Sequence, residues 1–396
     1  MSHTFSTLLS KEPLLHTLRE RKLEVPTPVQ AEAIPAVLAG KNLIAESPTG
    51  SGKTLAYLLP ICEKLDPNSK DIQALILAPT HELVMQITKE AELMTAAIGL
   101  FAEAMIGGVD VKRQLERLKK HPSILVATPG RLLELLEQRK VKVHAVRTLV
   151  VDEADRMLDR GFAEAIKQLS KRVLRDTQRL FFSATMPQAV VEMIRSFMDE
   201  EPVVIQTAAP EAKYSVLHFY LVSEARKKAE TLRKLIRLLE TKSAIVFVNT
   251  LERVEEIQSK LNYHNLECRL IHRETSKEER SRTLADFRKR AFPVLIATDV
   301  AARGLDIQGI ETVIHFDPAI DADAYIHRSG RTGRMGAAGL VFSVITPNER
   351  FIVDKFAKKT GIPIIEKEMA FGELRDPKPK SEKPPRIHKK RTFGTK

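Results

Sequence analysis

The chain has 396 residues, beyond the size at which one hydrophobic core stops growing, so two or three domains are expected. Its 43% apolar content, 17 glycines and 21 prolines exclude collagen-like and low-complexity chains, and its two distant cysteines, Cys62 and Cys268, exclude a disulfide scaffold and suggest no zinc site. The net charge of +12 favours a polyanionic partner, nucleic acid first, and half of it comes from residues 372–396, with nine Lys/Arg against three Asp/Glu.

The N-terminus, MSHTFSTLLSKEP, has no basic segment leading into a long apolar one, and no uncharged apolar run approaches the ~18 residues of a membrane span, so a cytoplasmic protein is expected. Short apolar, β-branched runs then recur, each followed by turn chemistry and a longer amphipathic stretch. They are 43–45, 74–77, 124–127, 148–151 and 180–182, then 244–248, 294–297, 312–315 and 340–344. This alternation predicts an α/β fold, two mainly parallel sheets of about five strands each, as in an architectural duplication. The domains are expected at 1–207 and 215–371, joined by a linker at 208–214 within TAAPEAKY. The segment 372–396 combines four prolines with charge and almost no apolar residues, which predicts a disordered basic tail.

The first strand runs into Ser47-Pro-Thr-Gly-Ser-Gly-Lys-Thr54 and a helix. In such a loop the backbone from Thr49 through Gly50, Ser51 and Gly52 cradles phosphate, Lys53 reaches the β/γ-phosphates and Thr54 offers a hydroxyl to Mg2+. Ser47 stands where the first glycine is usual. About one hundred residues on, a strand ends in Asp152-Glu153-Ala154-Asp155, where Asp152 is placed to hold the metal and Glu153 the attacking water; the plain alternative is a pair of acids capping the next helix. In the second series, His327-Arg-Ser-Gly-Arg-Thr-Gly-Arg334 spaces two arginines to address one phosphate from outside the phosphate-loop domain.

These ordered motifs resemble the DEAD-box RNA helicases of superfamily 2, which the tetrapeptide Asp152–Asp155 names, over about residues 1–371. The phrases AESPTG, GKTLAY and ELVMQI are similar to a compact bacterial branch of that family. The resemblance implies two tandem RecA-like domains, ATP and Mg2+ as cofactors, and RNA as partner. It makes Arg331 and Arg334 the arginine fingers. It makes Pro26-Thr-Pro-Val-Gln30 an adenine-reading segment supported by Phe5, although Leu23, after Lys22, replaces the usual stacking aromatic. Ser183-Ala184-Thr185 becomes the link between ATP state and strand separation, and in Ala297–Asp306 the ATP contacts become Gly304 and Asp306, while Thr298 faces RNA.

With no Trp and five Tyr, the composition gives little support to exposed base-stacking platforms, so a grip on the RNA backbone is expected. The resemblance puts that grip at Pro79, Thr80, Gly107, Gly108, Thr128, Pro129, Gly130, Arg131, Asn249, Thr250, Arg280 and Thr298. Departures from the family pattern are His81 for arginine, and Arg273 and Lys277, which add charge. The implied activity is ATP hydrolysis coupled to domain closure and local, non-processive unwinding of short duplexes by a monomer, on ribosomal RNA or mRNA. A noncatalytic ATP-dependent RNA clamp or assembly scaffold, and a DNA translocase, are the alternatives.

Overall fold

The computed structural model describes residues 4–159, 161–207, 216–272, 274–299, 309–333 and 337–377. Both the proposed linker at 208–214 and most of the basic tail lie outside the described residues. The first lobe is a seven-stranded, all-parallel sheet of β1 (Leu43–Glu46), β2 (Ala74–Leu77), β3 (Ala102–Met105), β4 (Ile124–Ala127), β5 (Thr148–Asp152), β6 (Gln178–Ser183) and β7 (Val203–Gln206), ordered β3-β4-β2-β5-β6-β1-β7. The second holds β8 (Val216–Val222), β9 (Ala244–Phe247), β10 (Cys268–Ile271), β11 (Val294–Ala297), β12 (Thr312–His315), β13 (Gly339–Ile345), β14 (Ile364–Ala370) and β15 (Glu373–Arg375), ordered β10-β11-β9-β12-β13-β8-β14-β15. Leaving β15 aside, the two orders are identical, so the expected duplication is present.

Each sheet is buried on both faces because side chains alternate along its strands. Leu43 and Ala45 of β1 enter one core with Ile34, Tyr57 and Phe182, while Ile44 enters the other with Leu75, Val151 and Phe181. Ile245 and Phe247 divide from Val246 in the same way in the second lobe. Each fully buried Leu, Ile, Val or Phe contributes roughly 1.5–3 kcal/mol, so the central strands carry much of the fold's stability.

Two expectations need correction. Among the described residues the sheets have seven and eight strands instead of about five, because the unexpected strands are short, as β7 is, or carry polar residues, as β3, β8, β10, β14 and β15 do. Regular structure also extends into the segment expected to be disordered: β15 pairs antiparallel with β14, Ala370 opposite Glu373, and Leu374 packs on the second lobe's core.

Candidate active site

The phosphate loop leaves β1 at the carboxyl edge of the sheet and enters the helix Lys53–Lys64, anchored by the wholly buried Tyr57, Leu58 and Leu59. Gly52 caps that helix at φ 89°, and a Cβ there would stand 2.4 Å from Gln30 Nε2, so the position combines a left-handed backbone with close approach. Lys53 Nζ donates to the carbonyls of Ser47 at 2.5 Å and Pro48 at 2.9 Å, which keeps a cation folded against the loop.

Asp152 ends β5, next to this loop's strand layer. Its carboxylate accepts from Tyr57 Oη at 2.9 Å and from the Glu153 amide at 2.8 Å. Burial pushes its pKa up to about 6, against the pull of Lys53 and with the help of the Glu153 charge. Burial and Asp152 itself hold the Tyr57 phenol well above its ordinary value, so Tyr57 stays a donor. Tyr57 also meets the Thr54 hydroxyl, so a hydroxyl and a buried carboxyl whose ionisation a cation would favour lie on either side of it, hard oxygen donors suited to Mg2+. Glu153 adopts φ 49°, the left-handed region that costs a non-glycine residue about 1 kcal/mol or more, and its carboxylate is gripped by Arg156 at 3.0 Å. Neither Tyr57 nor Arg156 was expected: Tyr57 is joined to Asp152 only through the fold, 95 residues away, whereas Arg156 is three residues after Glu153 and its i,i+3 spacing could have marked it.

The lobes meet over this edge. A Cβ on Gly330 would stand 1.9 Å from Thr49 Oγ1, so the second lobe's turn lies against the phosphate loop. Arg331, the next residue, is 8% exposed and its Nε donates to the His327 carbonyl at 3.3 Å. Asp155 Oδ2 accepts from Thr185 Oγ1 at 2.6 Å and lies 3.7 Å from His327 Nε2, joining the Ser183-Ala184-Thr185 turn to the other lobe. Burial raises the Asp155 pKa. A second contact between lobes pairs Glu82 with Arg280 at 3.0 Å.

The residues expected to face RNA follow strand ends on the same carboxyl edge. Pro79 and Thr80 follow β2, Gly107 and Gly108 follow β3, Thr128 to Arg131 follow β4, Asn249 and Thr250 follow β9, and Thr298 follows β11. Thr80, Thr128 and Thr250 are helix N-caps, so each starts a helix whose first amides lie at this edge. Several side chains are already engaged within the protein. Arg131 reaches the Val109 carbonyl at 3.4 Å and Glu134 at 3.3 Å, bracing the Gly107-Gly108 turn, and His81 Nε2 lies 3.5 Å from where a Gly107 Cβ would be.

The Asn249 amide donates to the Pro318 carbonyl at 3.2 Å and accepts from Arg328 at 2.8 Å, while Arg328 forks onto Asp299 with two 2.6 Å bonds. Gln30 is held in place: Oε1 accepts from the Thr27 amide at 2.9 Å and Nε2 donates to the Gly52 carbonyl at 3.0 Å, which leaves one acceptor site and one donor of its amide for an adenine edge. Phe5 is buried in the first lobe's core, and Leu23 packs on that core. Gly304, Asp306, Arg334 and Arg273 lie outside the described residues, as does the Lys277 side chain.

A phosphate loop, an acidic strand end and an arginine-bearing turn brought together from two RecA-like lobes define a nucleotide-hydrolysing helicase core. The profile of the DEAD/DEAH box helicase matches residues 27–194, and that of the helicase conserved C-terminal domain matches 227–336. The DEAD-box ATP-dependent RNA helicase CshC of Bacillus cereus is 44% identical over 357 residues, covering 90% of this chain and 91% of that one. The probable ATP-dependent RNA helicase YfmL of Bacillus subtilis is 45% identical over 351 residues, covering 88% and 93%. Among solved structures, S. cerevisiae Dbp5 bound to RNA and ADP BeF3 superposes with a TM-score of 0.82 at 28% identity, covering 92% and 95% of the two chains. Mss116p bound to ssRNA and AMP-PNP gives 0.83 at 26% identity, covering 93% and 80%. The chain belongs to the DEAD-box ATP-dependent RNA helicases. Among the described residues no helix is long and apolar enough to cross a membrane.

Proposed function

We propose that this chain, acting as a monomer, couples ATP hydrolysis to closure of its two lobes over the backbone of single-stranded RNA, and so opens short duplexes locally without translocating. The observation that carries this reading is the division of the reactive set: Lys53, Asp152 and Glu153 belong to one lobe and Arg331 to the other, and Gly330 rests on Thr49 where they meet. Hydrolysis then requires both lobes, which makes ATP and RNA binding mutually favourable by linkage.

In this reading Lys53 leaves the Ser47 and Pro48 carbonyls to meet the β/γ-phosphates, held also by the backbone from Thr49 to Gly52. Glu153, fixed by Arg156, orients the attacking water and accepts its proton. Arg331, with Arg334, stabilises charge on the transferring phosphoryl group. Thr54 and Asp152 would hold Mg2+, which when bound supplies charge neutralisation at the phosphates. The Asp155–Thr185–His327 contact carries nucleotide state to the other lobe, and the N-capped turns at Thr80, Thr128 and Thr250 take RNA phosphates.

Steady-state ATP hydrolysis without nucleic acid, with total RNA and with DNA of matched sequence tests this. Stimulation by RNA alone supports the reading. Equal stimulation by DNA would make the protein a translocase, and ATP-dependent RNA binding without hydrolysis would make it a clamp.

A further inference from the structure

Two residues at the entrance of the phosphate loop collect hydrogen bonds from segments far apart in sequence. Ser47 is wholly buried. Its amide donates to the Ser183 carbonyl at 3.0 Å, and its hydroxyl donates to Ser51 Oγ at 2.6 Å while accepting from Thr207 Oγ1 at 2.8 Å. Beside it, Glu46 accepts from the Met186 amide at 3.3 Å and from Gln206 Nε2 at 3.1 Å, and its carbonyl accepts from the Thr207 amide at 3.0 Å. Thr207 is the last described residue of the first lobe, where the chain passes into the segment that leads to the second.

The Ser47 carbonyl is also one of the two that hold Lys53. When Lys53 moves to a phosphate and Ser51 turns its backbone to the ligand, both ends of the Ser47 linkage are disturbed. The third partner, Thr207, roots the interdomain segment. We propose that Ser47 is a positioning residue whose hydroxyl links occupancy of the phosphate loop to the Thr207 root, and thereby sets how strongly ATP favours the RNA-gripping arrangement of the lobes. The proposal rests on the coupled clamping described above. Ser47 touches neither RNA nor the other lobe in this role; it acts through Thr207.

The experiment measures the affinity of fluorescein-labelled oligouridylate with and without AMP-PNP, and takes the ratio of the two dissociation constants as the coupling factor. Ser47→Ala should lower that factor about 3- to 10-fold, the effect of one net hydrogen bond on a linkage equilibrium. Thr207→Val should reproduce the loss, Thr207→Ser should restore it, and the double variant should lose no more than either single variant. A merely structural role would weaken RNA binding equally in both nucleotide states and lower the melting temperature, leaving the ratio intact. A factor within about twofold of the unmodified chain in both Ser47→Ala and Thr207→Val, or additive losses, overturns the proposal alone. No coupling in the unmodified chain overturns it together with the clamping reading. Should Ser47→Ala fail to fold, Thr207→Val decides.

Discussion

The two lobes share one strand order but treat the same place in it differently. β5 and β12 are equivalent strands: Val151 lies opposite Leu77 of β2 as His315 lies opposite Phe247 of β9, so Glu153 and Asp317 stand two residues past matching positions. Asp317 is 3% exposed and closed in by the protein itself, with Arg253 in contact, Lys228 at 3.8 Å and the Asn249 amide at 3.1 Å. At the matching end of β5, Glu153 is gripped by Arg156 at 3.0 Å, and one residue earlier, where the second lobe has the apolar Phe316, stands Asp152, held by the neutral donors of Tyr57 and the Glu153 amide and pushed up to about 6 by burial. One scaffold, used twice, thus neutralises its acid for stability in the second lobe. The first lobe adds a second acid, Asp152, held by neutral donors and left demanding a cation, which is what a nucleotide site needs.

The strongest way to break this contrast is to neutralise the acids on both sides. Glu153→Gln should lower RNA-stimulated turnover about 10²- to 10⁴-fold, as expected for loss of a general base, while ATP-dependent RNA binding persists and the thermal transition stays in place. Asp317→Asn should do the reverse. Lys228 keeps Glu349 at 3.9 Å and the half-exposed Arg253 can turn to water, so the loss of their buried partner should cost about 1–3 kcal/mol in denaturant titrations, with hydrolysis lost only in proportion to unfolding. A fully stable Asp317→Asn variant, or normal turnover by Glu153→Gln, would mean that the two strand ends do not divide their roles in this way.

A smaller effect follows from pH. Burial depresses the pKa of His218 to about 4, and drives His315 well below its ordinary value, where Arg328 and His218 add to the effect. A depressed histidine binds fewer protons folded than unfolded, so its contribution is present above pH ~6.5 and is lost as pH falls toward the folded value, by about 1 kcal/mol per histidine between pH 7 and 5.5. Asp152 runs the other way: its raised pKa means the folded chain takes up a proton first, so acid favours the first lobe between about pH 6 and 4. Hydrogen exchange resolved by lobe at pH 7 and 5.5 should show the second lobe losing protection while the first holds. Uniform loss across both lobes would contradict the assignment.

What the sequence made legible follows the same physics. Strands buried on both faces, such as β2, β4, β9 and β11, show as continuous apolar runs and were all expected. β3, with Glu103 in its middle, β10, with Arg269, and β15 are edge or near-edge strands without such a run. β8 was hidden because His218 interrupts its apolar residues. In the site, the phosphate loop and the acidic tetrapeptide could be read because their chemistry is local. The contacts from Tyr57 to Asp152, His327 to Asp155, Arg280 to Glu82 and Thr207 to Ser47 span 95 to 198 residues and leave no spacing signature. For the same reason the commitment of Asn249 to Pro318 and Arg328 could not be seen from its motif, whereas the bond of Gln30 to the Thr27 amide is a Thr-x-x-Gln capping box that the sequence does show.

The smallest predicted effect concerns what the second lobe has and the first lacks. Because β15 reaches Arg375 and Leu374 packs on the core, a cut after Phe371 removes structure as well as charge, whereas a cut after Pro377 removes only residues 378–396, with eight Lys/Arg and one Glu. If that segment tethers RNA, the later cut should weaken binding a few-fold at low salt and flatten the salt dependence by about 0.7 per lost phosphate contact, with the melting temperature unchanged. The earlier cut should add a loss of roughly 1–2 kcal/mol from unpairing β14, removing Leu374 from the core and exposing Met369. Identical RNA affinity and salt slope after the later cut would leave the charge as a solubilising end, and the second lobe's only additional role would be to close the edge of its sheet.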